Sequence, residues 1–369
     1  MIGQSVVASS RVTTEASSSD RFRLAITNET LSDTPSGFRS VITRPTTRYG
    51  VGKTPMRELK RALVTGGGGF LGGHLCQRLL DDGVEVLAVD DLSTSAPSAQ
   101  SLLADRRGYQ FIRHDITVPL ADIPLVDTIF HLASPASPVD YQSMPVHTLR
   151  TGALGTGNVL DIADRCGARM VLASTSEVYG DPLEHPQRET YWGNVNPVGP
   201  RSMYDESKRF AEALAFAYRS ERSTDVGVAR LFNTYGPRMR DDDGRIVPTF
   251  CRQALAGEPI TVHGTGHQTR SLCYVDDTVD ALLAMARADC TGPINIGNPR
   301  ELSVLEIAET IRDLAGSDSP IRFLPAALDD PQRRCPDITE ANHKLGWQPA
   351  VDCRKGLVAT LEWFAQQSF

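Results

Sequence analysis

The sequence of 369 residues predicts an α/β protein: a doubly wound parallel sheet with a smaller α/β lobe at its carboxyl side. Two patterns carry this prediction. From residue 61 to residue 232, short β-branched or apolar segments alternate with helical periodicities, which is typical of parallel strands joined by helices. Beyond residue 232 the spacing becomes irregular, with turn-rich loops and short helices, which indicates a lobe that closes over the carboxyl edge of the sheet.

The elements follow in chain order. Strands are predicted at the short apolar segments 62–65, 84–89, 110–113, 128–132, 170–173 and 226–232. Helices are predicted where apolar residues recur at helical spacing, at 70–80, 147–164, 204–220, 247–256, 304–314 and 357–365. The domains that result are a sheet domain at 58–232 plus about 271–298, and the smaller lobe at about 233–270 plus 299–369. Residues 1–57 are polar and lack apolar periodicity, so we expect a disordered N-terminal extension.

Composition excludes several classes of protein. A hydrophobic fraction of 40% and a charged fraction of 22% are those of a folded chain, and the net charge of −7 argues against a nucleic-acid partner. The seven cysteines are an odd number without a Cys-x-x-Cys pair, which favours a reducing compartment over a disulfide framework. No apolar stretch approaches the ~20 residues needed to span a bilayer, so we expect a cytoplasmic protein without a membrane partner.

No metal site is predicted. His263 and His267 have the spacing of a ligand pair, but the two glycines between them indicate a loop rather than a helix face. The acidic run 241–243 lacks the other ligands of a calcium-binding loop and is expected to be a solvated turn.

A glycine-rich turn, Thr-Gly-Gly-Gly-Gly-Phe-Leu-Gly, follows the first strand and opens the first helix. Gly66, Gly69 and Gly72 let the backbone turn tightly and approach a pyrophosphate at the helix N-terminus, although such a turn alone is also consistent with an ordinary loop. The second strand ends about 20 residues later at Asp90, whose carboxylate suits the adenosine ribose and repels the 2′-phosphate of NADP. Asp115, ending the third strand, is placed either to reach the adenine or to cap the strand. Together these features predict that the sheet domain is a Rossmann-like, NAD-binding domain.

Tyr204 and Lys208 are spaced four residues apart in a predicted helix, which places the phenol and the ammonium on one face. A nearby ammonium favours the phenolate and is expected to pull the tyrosine pKa from about 10 towards neutrality, so that Tyr204 can act as a base. The alternative is an ordinary pair on a helix surface. The neighbouring NAD site favours the catalytic interpretation.

The segment 174–180, Ser-Thr-Ser-Glu-Val-Tyr-Gly, lies at the carboxyl end of the fifth predicted strand, where doubly wound folds carry catalytic residues. Its hydroxyl groups are candidates to hydrogen-bond a substrate hydroxyl alongside Tyr204. Glu177 adds an acid–base group that simple redox chemistry does not need; the alternative is a solvated turn carboxylate.

Taken in order, these motifs resemble those of the extended short-chain dehydrogenase/reductases, and within them the UDP-glucuronate decarboxylases, or UDP-xylose synthases. The similarity covers nearly all of residues 60–365. Its most specific stretches are 131–138, 174–182, 191–197, 232–239, 268–270 and 329–337.

The resemblance implies a reaction on UDP-glucuronate. Tyr204 would take the proton from the sugar O4 while NAD⁺ takes the C4 hydride, and the resulting ketone, β to the C6 carboxylate, lets carbon dioxide leave. Lys208 and the hydroxyls of Thr175 and Ser176 would stabilise the developing oxygen charge. Glu177 would handle, directly or through water, the proton returned at C5. Return of the hydride then yields UDP-xylose and regenerates the cofactor.

The resemblance also implies binding residues. Cofactor contacts are expected at Gly66, Gly69, Phe70, Leu71, Gly72, Asp90, Asp91, Ser93, Thr94, Asp115, Ile116, Leu132, Ser134, Tyr204 and Lys208. Substrate contacts are expected at Ser134 and Tyr141 beside the sugar, at Arg270 near the sugar carboxylate, where it also counts as catalytic, and at Asn233, Arg245 and Arg334 around UDP. A homodimer is expected, in which the helix of Tyr204 and a helix at about 146–166 pair across an axis.

The sequence departs from the family pattern at several positions. After Asp90 the family reads Asn-Phe-Phe-Thr-Gly, whereas this chain has a second carboxylate, Asp91, and continues Leu-Ser-Thr-Ser. A Lys-Thr-Asn triplet of the family reads Arg150-Thr-Gly152, a Tyr is His263 and a Lys is Cys335. The first two departures bear on cofactor retention, because escape of NADH before hydride return would leave UDP-4-keto-pentose as a product.

Two other functions remain open at this stage. The nearest is another nucleotide-sugar 4,6-dehydratase or 4-epimerase, but the dehydratases usually carry Asp at the position of Ser176, and the epimerases usually lack the acid at Glu177. The other is a catalytically silent NAD-binding regulator, against which the intact Tyr204 and Lys208 pair argues.

Overall fold

The computed structural model describes residues 57–95, 101, 103–326 and 331–367. Except for Arg57, the predicted disordered extension 1–57 lies outside the described residues. Asp329 and Asp330, which open the stretch 329–337, also lie outside them.

Strands of the described residues are β1 Arg61–Thr65, β2 Glu85–Asp90, β3 Tyr109–Arg113, β4 Thr128–His131, β5 Arg169–Thr175, β6 Val226–Leu231, β7 Thr234–Tyr235, β8 Ile260–His263, β9 Thr269–Ser271, β10 Cys273–Tyr274, β11 Ile294–Ile296, β12 Glu301–Ser303 and β13 Ile321–Leu324. A seven-stranded sheet has the order β3-β2-β1-β4-β5-β6-β11, and every neighbouring pair in it is parallel. The predicted doubly wound parallel sheet is therefore confirmed.

Helices of the described residues are α1 Phe70–Asp81, α2 Pro138–Ser143, α3 Pro145–Arg150, α4 Thr156–Cys166, α5 Ser202–Arg222, α6 Ile246–Ala256, α7 Val275–Arg287, α8 Val304–Leu314, α9 Thr339–Leu345 and α10 Cys353–Ala365. The helix predicted at 147–164 is confirmed as a helical stretch, and it contains a π-helical turn at Thr151–Gly155 between α3 and α4. Two glycines lie in this turn and let it approach its neighbours: a Cβ on Gly155 would be 2.6 Å from Ile116 Cδ1. In the described part of the chain, no helix has both the length and the apolarity to cross a bilayer.

Alternation along the strands explains the three layers of the sheet domain. Leu63 and Val64 are neighbours in β1, and both are fully buried, but they belong to different hydrophobic clusters on opposite faces of the sheet. The Val64 face packs against α1 and α7, and the Leu63 face packs against α4 and α5. Because both faces are covered, β1, β2, β4 and β5 are buried along nearly their whole length rather than at alternate residues.

β10 falls in the segment predicted for the sheet domain, but it pairs with β7 outside the seven-stranded sheet. The predicted smaller lobe contains β7, the pairs β8 with β13 and β9 with β12, and the helices α6, α8, α9 and α10. Its apolar side chains, such as Phe250 and Ile307, belong to the same buried cluster as Val64, so the lobe packs on the sheet domain through a continuous core. β1 lies between β2 and β4, and this reversal of strand order places a ligand crevice at the carboxyl ends of the strands.

Candidate active site

A cavity of about 1030 Å³ lies at the carboxyl ends of the strands and is lined by both lobes. It brings together every residue that the sequence predicted for cofactor, substrate or catalysis. From the sheet domain come Gly66, Gly69, Phe70, Leu71, Gly72, Asp90, Asp91, Ser93, Thr94, Asp115, Ile116, Leu132, Ser134, Tyr141, Thr175, Ser176, Glu177, Tyr204 and Lys208. From the other segments come Asn233, Arg245, Arg270 and Arg334.

The turn between β1 and α1 has the shape of a dinucleotide cradle. Gly66 has φ +74°, and a Cβ there would lie 2.8 Å from the backbone nitrogen of Ala133. A Cβ on Gly72 would lie 2.0 Å from the carbonyl oxygen of Gly66, so the first turn of α1 is closed against the loop. The bare backbone at these positions leaves the helix N-terminus open to a pyrophosphate. These residues therefore fit the NAD that the sequence predicted.

Asp90, at the end of β2, borders the glycine-rich turn. Its carboxylate accepts hydrogen bonds from the backbone N–H groups of Gly68, at 3.0 Å, and Leu92, at 2.7 Å. Burial raises the pKa of Asp90, and these two N–H groups oppose the rise. Asp91 accepts two hydrogen bonds from Ser93 and lies 3.5 Å from Nε2 of His147, so the extra carboxylate has local partners.

Asp115 and Ser134 make local contacts around the same part of the cavity. Asp115 accepts a hydrogen bond at 2.8 Å from the backbone N–H of Thr117, which is the turn geometry that the sequence left as its alternative. Ser134 donates to the carbonyl of Pro135 at 3.3 Å. Both side chains line the cavity, and their ligand contacts stay predictions.

Tyr204 lies in the first turn of α5, buried in the cavity wall. Its ring stacks on the ring of Tyr141, with centroids 5.1 Å apart and planes 9° from parallel. Its hydroxyl is hydrogen-bonded by Thr175, at the end of β5. Lys208 Nζ lies 5.9 Å from the Tyr204 ring centroid and donates to the carbonyl of Ala173 at 2.9 Å. The i, i+4 spacing therefore does bring phenol and ammonium to one face.

The expected lowering of the Tyr204 pKa is wrong. Burial raises the pKa of Tyr204 to about 12, and the hydrogen bond from Thr175 and the charge of Arg245 oppose this only in part. Burial also lowers the pKa of Lys208 to about 8, although the nearby Glu212 carboxylate opposes it. Desolvation of the Tyr204 phenol thus raises its pKa by more than nearby positive charge lowers it, contrary to the expectation from the sequence.

Glu177 is held between two guanidinium groups. Its carboxylate lies 2.6 Å from Nη2 of Arg201 and 3.2 Å from Nη2 of Arg334. Burial alone would raise the pKa of Glu177, but the charges of Arg334 and Arg201 together hold that pKa well below its ordinary range. Glu177 is therefore ionised at neutral pH, and it is not a solvated turn residue.

Arg334 lines the cavity, as predicted, and its guanidinium is also bound to the turn after β5. Its guanidinium is only 2% exposed and donates to the carbonyls of Ser176 and Gly180 as well as to Glu177. All these acceptors belong to the turn after β5. Arg334 therefore shapes the turn that carries Glu177.

The other predicted substrate residues also line the cavity. Arg245, directly before α6, forms a two-pronged pair with Asp243, with Nη2 2.6 Å from Oδ2. Arg270 in β9 donates to the carbonyls of Thr269 and Pro331. Asn233 follows β6, and its backbone carbonyl accepts from the N–H of Cys273.

Sequence reasoning missed Arg201 and Thr151. Arg201 is 24 positions from Glu177, and no spacing rule connects an arginine before a helix with a turn after a strand. Thr151 lines the cavity from the π turn, and its buried hydroxyl has no hydrogen-bond partner among the described residues; the same holds for the hydroxyl of Tyr141. Two unpartnered buried hydroxyl groups in one cavity wall indicate a polar ligand there.

The departure at Gly152 has a packing cause. A Cβ at this position would lie 2.6 Å from Cβ and 2.8 Å from the backbone oxygen of Ser207 on α5. The asparagine of the family pattern therefore does not fit against α5 in its present position. Ser207 itself donates to the carbonyl of Tyr204 at 2.7 Å.

The residues considered for metal binding have other contacts. Asp243 pairs with Arg245, Asp242 pairs with Arg240, and Nδ1 of His263 lies 3.0 Å from the carbonyl oxygen of Pro325. Within 57–95, 101, 103–326 and 331–367, no group of three or more His, Cys, Asp or Glu residues is arranged to hold a metal ion.

A model of the NAD dependent epimerase/dehydratase family matches residues 62–297. This chain belongs to that family. UDP-glucuronic acid decarboxylase 1 of Danio rerio is 49% identical over 311 residues, which cover 84% of this chain and 74% of the relative. UDP-glucuronic acid decarboxylase 6 of Arabidopsis thaliana is 49% identical over 311 residues, which cover 82% of this chain and 90% of the relative. Within the family, the chain is thus an enzyme of the UDP-glucuronic acid decarboxylase group, as its motifs predicted.

Solved structures of the family are similar in fold. UDP-glucuronic acid 4-epimerase of Bacillus cereus, in complex with UDP-glucuronic acid and NAD, has a TM-score of 0.74 at 27% identity and covers 83% of this chain and 99% of its own. UDP-glucose 4-epimerase of Thermotoga maritima has a TM-score of 0.76 at 28% identity, covering 82% of this chain and 98% of its own. Identity to these epimerases is well below the identity to the decarboxylases, which favours decarboxylation over epimerisation.

Proposed function

We propose that this enzyme converts UDP-glucuronate to UDP-xylose through a 4-keto intermediate, with NAD as its resident cofactor. The observation that carries the proposal is the pairing in one cavity of a buried tyrosine, Tyr204, with an ionised carboxylate, Glu177, beside a dinucleotide cradle. Reversible oxidation needs a base at the sugar hydroxyl, whereas the loss of the C6 carboxylate and protonation at C5 need a further polar group.

Tyr204 is the proposed base for the sugar O4 proton. NAD⁺ held by the cradle of Gly66, Gly72 and Asp90 would supply the acceptor and donor for the C4 hydride. The raised pKa of Tyr204 means that the phenol is protonated at neutral pH, so deprotonation depends on positive charge near the hydroxyl. Lys208 and the hydroxyl of Thr175 supply a cation and a hydrogen bond at the required place.

Decarboxylation follows from the chemistry of the ketone. A C4 carbonyl is β to the C6 carboxylate, so the electron pair of the breaking C5–C6 bond moves onto O4. The hydroxyls of Thr175 and Tyr204 are hydrogen-bonded to each other in the cavity, with Ser176 also in its lining, and these hydroxyls are proposed to stabilise the charge on O4. Ser176 is a poorer proton donor than the aspartate of the dehydratases, which suits loss of carbon dioxide rather than of a hydroxyl group.

Glu177 is proposed to relay the proton that returns to C5. Because Arg201 and Arg334 keep the carboxylate ionised, it holds no proton of its own to give at neutral pH. Of the two routes predicted from the sequence, the route through water is therefore favoured over direct donation. Arg334 is a positioning residue in this scheme.

UDP is proposed to bind between Asn233 and Arg245, with Arg270 near the sugar carboxylate. The Asp243 carboxylate holds the Arg245 guanidinium in a fixed orientation, which limits the entropy lost when the guanidinium meets a diphosphate. Tyr141 and Ser134 line the cavity and are proposed to contact the sugar. The assignment of the two lobes to cofactor and nucleotide sugar stays a prediction.

A homodimer is proposed to form through α3, the π turn and α5. Val146, Leu149 and Leu154 on the first two elements and Phe210 on α5 are between 43% and 61% exposed. Exposed apolar side chains on two adjacent helices are typical of a surface that another chain covers. A cytoplasmic location stays a prediction, consistent with seven cysteines that are all free thiols.

The test is to mix the protein with NAD⁺ and UDP-glucuronate and to follow carbon dioxide and the nucleotide sugars by mass. We expect carbon dioxide and UDP-xylose in equal amounts without net consumption of NAD⁺. A product of unchanged mass would identify an epimerase, and cofactor binding without turnover would identify a regulator; either result contradicts the proposal.

A further inference from the structure

The segment 237–245, named here the strap, leaves the smaller lobe after β7 and crosses to the sheet domain. Near its start it contacts α1 twice: His74 Nε2 lies 2.9 Å from the carbonyl oxygen of Pro237, and Arg238 donates to the side-chain oxygen of Gln77 at 2.7 Å. Near its end, a Cβ on Gly244 would lie 2.5 Å from Val139 of α2, so the backbone is packed closely there. The strap therefore touches two helices that border the cavity.

Arg240 joins the strap to two further parts of the cavity wall. Nη1 donates to the carbonyl oxygen of Thr94, in the loop after β2 that carries predicted cofactor contacts. Nη2 lies 3.0 Å from Oδ1 of Asp140, in α2 and adjacent to Tyr141, while Nε donates to Asp242 within the strap. One guanidinium thus connects the cofactor loop, the helix of Tyr141 and the strap.

The environment of Arg240 strengthens its ion pair with Asp140. The side chains of Arg240 and Asp140 are 21% and 15% exposed, so solvent screens their ion pair less than it screens a surface pair. Oδ2 of Asp140 accepts a hydrogen bond from Ser137, which fixes the orientation of the carboxylate. Sites at which several charged hydrogen bonds meet in fixed geometry hold loops closed more strongly than single pairs do.

We propose that the strap, tied down by Arg240, retains the reduced cofactor between the two hydride transfers, and that Arg240 is a positioning residue for this retention. The inference rests on the proposed function. Oxidation removes a hydride from C4 and a proton from O4, and reduction after loss of carbon dioxide must return the same hydride to C4. If the cofactor is lost with its hydride, UDP-4-keto-pentose is released and one NAD⁺ is consumed for each turnover.

The test compares Arg240→Gln with wild type and with Arg252→Gln. Arg252, on α6, pairs with Glu258 beyond the end of that helix. Arg252 does not line the cavity, so Arg252→Gln is a matched control. NADH bound to each protein without substrate is displaced by excess NAD⁺, and its dissociation is followed by fluorescence. We expect Arg240→Gln to release NADH about tenfold faster, as the loss of a charged hydrogen-bond pair predicts, and Arg252→Gln to match wild type.

Product analysis supplies the second readout. With UDP-glucuronate, Arg240→Gln should raise the share of UDP-4-keto-pentose, with an equal rise in free NADH, while carbon dioxide release per chain persists. Asp140→Asn, which keeps the contact to Thr94, should give a smaller shift in the same direction. An unchanged NADH dissociation rate in both variants overturns the proposal.

Failure of the proposed function is separable from failure of this inference. If wild-type protein releases no carbon dioxide, the decarboxylase proposal fails. The NADH dissociation rates still decide whether Arg240 retains the cofactor, because that measurement uses no sugar.

Discussion

At the residue scale, Glu177 combines features that rarely occur together: its side chain is only 17% exposed, is ionised and is bound by two arginines. Its replacement by glutamine keeps the shape of the side chain but removes the charge and leaves Arg201 and Arg334 without their anion. We expect Glu177→Gln to slow turnover by about 100-fold or more, the usual size of an acid–base contribution. The measurement is carbon dioxide release together with deuterium incorporation at C5 in D₂O.

Glu184→Gln is the control for this change. Glu184 lies nearby in the chain, and its ion pair with Arg188 is at the surface. We expect Glu184→Gln to release carbon dioxide at the rate of the wild-type protein. Full decarboxylation and C5 labelling by Glu177→Gln would remove Glu177 from the mechanism.

Burial of the Lys208 ammonium makes the stability of the fold depend on pH. Burial lowers the pKa of Lys208 from 10.5 to about 8, so between these values the unfolded chain binds the proton and the folded chain does not. Stability therefore rises with pH across this window, because the cost of burying the ammonium, present below pH 8, is relieved. Relative to Lys208→Met, wild type should gain up to about 3 kcal/mol in free energy of unfolding between pH 8 and 10.5.

The measurement is denaturant unfolding of the two proteins at a series of pH values. Lys344→Met is the matched control, because its ammonium lies at the surface beside Glu340. The difference in free energy of unfolding between Lys344→Met and wild type should stay nearly constant between pH 8 and 10. A constant difference for Lys208→Met as well would show that the ammonium is not desolvated in the fold.

At the scale of elements, the turn from β1 to α1 offers a comparison between adjacent glycines. A Cβ at Gly72 meets the carbonyl of Gly66 at 2.0 Å, whereas a Cβ at Gly73 meets nothing within 4 Å. We expect Gly72→Ala to weaken NAD binding by roughly ten- to a hundredfold, the equivalent of an overpacking cost of about 1–3 kcal/mol.

Gly73→Ala should bind NAD as wild type does and should raise the free energy of unfolding by roughly 0.5–1 kcal/mol, since alanine is the better helix former. Cofactor titration by calorimetry and thermal melting check both variants. Equal NAD affinity in Gly72→Ala and wild type would contradict the cradle.

At the scale of the whole molecule, the apolar surface on α3, the π turn and α5 predicts association. We expect wild type to elute as a dimer in size-exclusion chromatography with light scattering. Leu154→Arg combined with Phe210→Arg should give monomers, because each arginine would place a charge in the interface. Val358→Arg, at an exposed apolar position on α10, is the control and should leave the dimer intact. A dimeric double variant would place the interface elsewhere.

Much of the fold could be predicted because its signals are local in the chain. The alternation of apolar segments with helical patterns identified the sheet, and the short spacing from Gly66 to Gly72 identified the cradle. The helix predicted at 147–164 is present, but the π turn within it was not predicted, because this turn accompanies close contacts of Gly152 with Ser207 and of Gly155 with Ile116, both distant in sequence.

By itself, the sequence determined the sheet, the family and the residue types that carry the chemistry, since these depend on periodicity and short spacing. Only the tertiary structure decided which distant groups form hydrogen bonds. Arg334 donates to the Glu177 carboxylate across 157 positions, and Arg240 donates to the Thr94 carbonyl across 146. It also decided the direction of the Tyr204 pKa, because desolvation depends on how completely the packed chain excludes water from a side chain. Folding sets that exclusion, and no local spacing encodes it.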